Sequence, residues 1–110
     1  MEIEPKKVIR SIFYLNDLQA IFEYGEANFG EKAALEFYED LRNRVRNLER
    51  EYLLHPECRH LETKTKMYRN LILGSYLIKY RIRTNKVEVL RAFHDSRAPK
   101  TIRKASKIKP

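Results

Sequence analysis

Six apolar residues, Ala34, Tyr38, Leu41, Val45, Leu48 and Tyr52, recur at spacings of four, three, four, three and four. That alternation is the period of one helix face, and a stripe five turns long needs a packing partner along its whole length. The opposite face carries Glu36, Glu39, Asp40, Asn43, Arg46, Asn47 and Arg50. Arg42, Arg46 and Arg50 stack at i, i+4, so the polar face is not arranged for ion pairs. The helix is expected from about Glu31 to near Leu54, because Pro56 disfavours a helical His55.

The rest of the chain must supply that partner. Lys6 to Tyr14 is rich in β-branched and aromatic residues and reads as a strand. Asn16 or Asp17 can cap a following helix whose face is Leu18, Ile21, Phe22, Gly25 and Phe29. Gly25 suggests close approach to a neighbour. Gly30 breaks the pattern, and so short a link folds the two helices back as an antiparallel hairpin. Beyond a polar loop from Glu57 to Lys66 the period changes to two. Met67 to Leu73, Tyr76 to Arg83 and Val87 to His94 are expected strands, joined by turns at Gly74-Ser75 and Thr84-Asn85-Lys86. The order β-α-α-β-β-β predicts an α+β fold: a helical hairpin packed on one face of a small, mainly antiparallel curved sheet. Ile78, Tyr80 and Ile82 would face the helices. Lys79, Arg81 and Arg83 would face away, on the uncovered side.

Length and composition limit the alternatives. A chain of 110 residues holds one core. It has no run of 18 apolar residues, and its first residues lack the layout of a secretory signal. Its single cysteine, Cys58, can form no internal disulfide, so a cytoplasmic setting is expected. Cys58 lies between His55 and His60, but a metal site there would want more ligands, and no cofactor is expected. Charge is more informative. Residues 1–58 hold eight Lys/Arg and twelve Asp/Glu, net −4, whereas residues 59–110 hold fifteen and three, net +12. The second half therefore calls for an anionic partner. A domain over 1–97 is expected to be followed by a basic tail, 98–110.

Four segments resemble the RelE/ParE toxin superfamily, and more closely its ParE-like branch. They are Ile21-Phe22-Glu23-Tyr24-Gly25 with Phe29-Gly30-Glu31-Lys32-Ala33, then Tyr68-Arg69, then Gly74 to Ile82, and last Val87 to Arg97. The resemblance implies the toxin of a type II toxin–antitoxin, or plasmid addiction, system. Its partners would be a cognate ParD-like antitoxin, in a hetero-oligomer, and a target. ParE-like members inhibit DNA gyrase by binding; RelE-like members cut mRNA on the ribosome.

A metal-independent ribonuclease must activate a 2′-hydroxyl, stabilise a phosphorane and protonate a leaving oxygen. By the same resemblance, RelE-like enzymes use grouped Lys and Arg on the central strands and an Arg–Tyr pair near the C-terminus. Arg69 and Arg97 stand where two of the basic groups would. The phosphate-binding Arg after Tyr76 is replaced by Leu77, and nothing after Tyr80 is a tyrosine. His94 could do acid–base work, or simply end its strand. Tyr24, Tyr38 and Tyr52 read as packing residues at the core edge rather than base-stacking platforms. The first expectation is thus gyrase inhibition without chemistry, with Arg69, Lys79, Arg81, Arg83, Arg91, His94 and Arg97 as candidate target contacts. The second is an mRNA endonuclease using Arg69, His94 and Arg97. A third is a binding module without toxicity.

Overall fold

The structure, a computed structural model, describes residues 3–56 and 67–94. The expected 57–66 loop, the 97/98 boundary, the basic tail and Arg97 lie outside the described residues. The elements are β1 (Lys7–Arg10), α1 (Ile12–Phe29), α2 (Glu31–Arg46), α3 (Leu48–Glu51), β2 (Tyr68–Leu73), β3 (Tyr76–Ile82) and β4 (Lys86–His94). No helix among them is long and apolar enough to cross a membrane.

The first strand is shorter than its composition suggests, and the helix starts earlier. Ser11 is the cap rather than Asn16 or Asp17: its Oγ accepts from the Tyr14 amide at 2.9 Å. The same hydroxyl donates to the Leu90 carbonyl at 2.6 Å, tying the helix start to β4. A Ser cap with a tertiary anchor outweighs the β preference of Ile12, Phe13 and Tyr14. Gly30 separates α1 from α2 at φ +92°, a region that favours glycine, and its amide caps α1 by donating to Glu26. The hairpin closes with Phe22 edge-on to Tyr38, ring centroids 5.5 Å apart.

The stripe on α2 and α3 supplies the helical side of the core. Leu41, Val45 and Leu48 are fully buried and Ala34 and Tyr52 nearly so, with Tyr14 and Leu18 of α1 beside them. The sheet meets them with Leu71, Ile78, Tyr80, Val87, Val89 and Ala92. Two buried phenols lock the layers: Tyr80 donates to the Tyr52 carbonyl at 2.6 Å, and Tyr52 donates to the Glu4 carbonyl at 2.9 Å. Truncating Leu41 to Ala in such a core costs about 2–5 kcal/mol.

The sheet order is β1-β4-β3-β2. β2–β3 and β3–β4 pair antiparallel and β1–β4 parallel, so the sheet is mixed. Tyr80 faces Val89 whereas Lys79 faces Arg91, leaving Leu90 as an extra residue. This bulge moves the helix-facing positions of β4 from Val87 and Val89 to Ala92. β1 ends opposite Val89, so β4 runs on as an edge beyond it. That edge is covered: Ser11 takes the Val89 and Leu90 carbonyls, and the Asp17 carboxylate of α1 takes the Ala92 amide at 3.0 Å.

Candidate functional site

The expected target-facing residues divide between the two sheet faces. On the face away from the helices, the register aligns Tyr68, Arg81 and Glu88 across three strands. Arg81 Nε meets Glu88 Oε1 at 2.8 Å, and its other arm donates to the Tyr68 hydroxyl at 3.3 Å. Arg83 and Lys86 approach the same carboxylate, at 3.4 and 3.8 Å. Like charges crowded on a strand need an anion between them, and Glu88 is that anion.

This face is less open than the alternation of charges suggests. Lys79 has no exposed surface and Arg81 is 9% exposed. The Lys79 ammonium stands 5.1 Å over the Tyr68 ring. Burial alone would lower the Arg81 guanidinium. Its bonds to Glu88 and Tyr68 outweigh that and raise it above the ordinary arginine range. Of the three alternating cations only Arg83 is well exposed.

Arg69 and His94 belong to the other face. Arg69 is in register with Tyr80, and His94 with Tyr76. Those positions lie four residues apart on β3, about 13 Å along the strand. Arg69 donates to the Leu53 carbonyl at 3.0 Å and the His55 carbonyl at 2.8 Å, holding the chain where α3 ends. Above it, His55 is half-buried; burial, with Arg44 and Arg69 nearby, holds its pKa below the usual 6.5 despite Glu51. Arg91 forms a two-armed pair with Asp17, at 2.6 and 3.0 Å, that bridges β4 to α1. Asp17, expected as a cap, is its anchor. Neither Asp17 nor Glu88 stands out in the sequence, since their partners lie 74 and 7 residues away.

His94 is exposed at the end of β4, edge-on to the Tyr76 ring at 5.5 Å. Two hollows of about 420 and 380 Å³ meet there, sharing Ile21, Tyr24, Tyr76 and His94. They form one groove between the helical hairpin and the start of β3. Tyr24 (58% exposed) and Phe29 (70% exposed) edge it, and Phe37 packs on Tyr76 at 5.5 Å. Tyr24 is therefore a rim residue of the groove, whereas Tyr52 is core.

A family model described as "ParE toxin of type II toxin-antitoxin system, parDE" matches residues 14–99, most of the chain. The chain belongs to the ParE toxin family. Its fold is also that of solved structures. A chain of a chromosomal ParDE toxin–antitoxin system from P. aeruginosa matches with TM-score 0.68 and 19% identity, over 83% of this chain and 97% of that one. A chain of the RelBE2 toxin–antitoxin complex from Mycobacterium tuberculosis matches with TM-score 0.57 and 20% identity, over 82% and 98%. No curated protein sequence matches. The ParE-type toxin thus places its strand cations in internal bonds and leaves an aromatic-edged groove open beside the hairpin.

Proposed function

We propose that this toxin inhibits DNA gyrase by binding it, performs no chemistry of its own, and is neutralised by a ParD-like antitoxin. The observation that carries the reading is where the basic side chains are spent. A phosphoryl-transfer site needs several donors aimed at one oxyanion. Here Arg81 is held by Glu88, Arg91 by Asp17 and Arg69 by two carbonyls, and His94 sits at the far end of β3 from Arg69. Leu77 stands where the RelE pattern wants a phosphate-binding Arg. Membership in the ParE family supports the same reading.

The antitoxin has a natural seat in the groove at Tyr24, Phe29, Phe37 and Tyr76. An amphipathic segment laid there would cover the exposed rings. The rival reading, an mRNA endonuclease using Arg69, His94 and Arg97, draws on the likeness to the RelBE2 chain. Mapping mRNA 5′ ends in growth-arrested cells separates the two. The binding reading expects arrest with no codon-phased cuts; cuts lost in a His94→Ala variant would replace it with the nuclease reading.

A further inference from the structure

Three arginines of the N-terminal half, Arg10, Arg42 and Arg46, take no part in the arrangement above. Arg10 closes β1, and Arg42 and Arg46 lie one turn apart on α2. With Tyr14 of α1 they line a hollow of about 500 Å³ where β1 leaves the sheet and the hairpin begins. It shares no residue with the groove at Tyr76 and His94.

Among the described residues, no carboxylate comes within ion-pair distance of these three guanidinium groups. Arg46 donates to Asn43 Oδ1 at 2.7 Å, and Arg42 lies over the Tyr38 ring at 5.6 Å. Glu39 is the one acid among the described lining residues, and it forms no ion pair with any of them. Three cations and one acid around one hollow leave an excess of positive charge that a bound anion would offset.

Tyr14 supplies a second, independent observation. The residue is 1% exposed, yet its hydroxyl has no hydrogen-bond partner among the described residues. Buried hydroxyls are nearly always satisfied, and an unmade bond there is costly. Burial pushes this phenol up to about 12, against the pull of Arg10 and Arg42, so at neutral pH it is a donor looking for an acceptor.

We infer that this hollow binds a phosphate dianion, gripped by Arg10, Arg42 and Arg46, with the Tyr14 hydroxyl donating to one oxygen. Charge decides the class of ligand. Three cations against Glu39 leave two positive charges, which match a phosphomonoester better than one carboxylate. An internal phosphodiester of nucleic acid brings a single charge. Inorganic phosphate and the terminal phosphate of a nucleotide present the same group.

The test uses the purified full-length chain at constant ionic strength. Inorganic phosphate and adenosine 5′-monophosphate are titrated separately, with melting temperature and calorimetry as readouts. Both are expected to bind saturably, and the tighter one identifies the source. Arg42→Gln/Arg46→Gln should weaken binding by about ten-fold or more, the effect of losing a charge-assisted bond. Tyr14→Phe is the sharper variant: it should bind phosphate more weakly yet melt no lower than the parent without phosphate. The inference is overturned if phosphate acts no more strongly than chloride, or if Tyr14→Phe binds it unchanged. It is equally overturned if an acidic peptide, or an oligonucleotide lacking terminal phosphates, competes as well as the monophosphate.

Discussion

Glu88 has more to balance than any other side chain in the sheet. It is 5% exposed, with Arg81 at 2.8 Å and Arg83 and Lys86 at the rim. Removing one partner of a buried pair leaves the other charge uncompensated, at about 3–5 kcal/mol. Glu88→Gln should therefore destabilise the fold by about 3 kcal/mol in chemical denaturation; a loss under about 1 kcal/mol would mean Arg81 finds other support. His55 gives a pH signature. Its folded pKa lies below 6.5, so the folded state resists protonation that the unfolded chain accepts. Its contribution is intact above pH 6.5 and fades as pH falls through the lower, folded value. His55→Asn should flatten that acid-side loss, which equilibrium unfolding at a series of pH values between about 7 and 5 measures. An unchanged slope would assign the loss to other groups.

At the scale of elements, the helix hairpin offers a prediction of opposite sign. A methyl at Gly25 would meet the Ala34 Cβ at 3.5 Å, an ordinary contact, within a helix that glycine weakens. Gly25→Ala should stabilise by about 0.5–1 kcal/mol, read from the denaturation midpoint; a loss of stability would show that the helices pack closer than this. Gly25 does face a neighbouring element, Ala34 of α2, with space left for a methyl. Most elements were legible because their periods are long and unmixed: Ala34, Leu41, Val45, Leu48 and Tyr52 of the stripe are buried, as are Ile78 and Tyr80 of the alternating strand, although Lys79 and Arg81 between them are buried too. The start of α1 was not, because Ile12, Phe13 and Tyr14 favour strand and the deciding bond runs from Ser11 to Leu90, a residue 79 positions away. The bulge at Leu90 was hidden for a related reason. One extra residue in β4 is visible only against its partner strand.

For the whole molecule, the −4/+12 division pointed to an anionic partner for the second half, but could not show how many of its cations the fold uses. Arg81, Arg83 and Lys86 converge on Glu88, Arg91 on Asp17, and Arg69 on the end of α3. Arg10, Arg42 and Arg46, in the half that is acidic overall, form no ion pair among the described residues, a contrast that charge totals cannot reveal. The groove beside the hairpin was likewise invisible, since Tyr24 and Phe29 come from α1, Phe37 from α2 and Tyr76 from β3. Replacing Phe29 with Asp should weaken capture of the antitoxin by about ten-fold or more while the fold holds, because Phe29 is 70% exposed. Pull-down with the product of the adjacent short gene checks this; full-strength capture would move the antitoxin elsewhere.

Inhibition by binding is open to test with purified components. DNA gyrase, relaxed plasmid and ATP are combined with increasing amounts of the toxin, with and without its antitoxin. Supercoiling is expected to be lost as toxin approaches the gyrase concentration, and to recover when antitoxin is added. Undiminished supercoiling with folded toxin in excess, alongside cleavage of ribosome-bound mRNA, would contradict it.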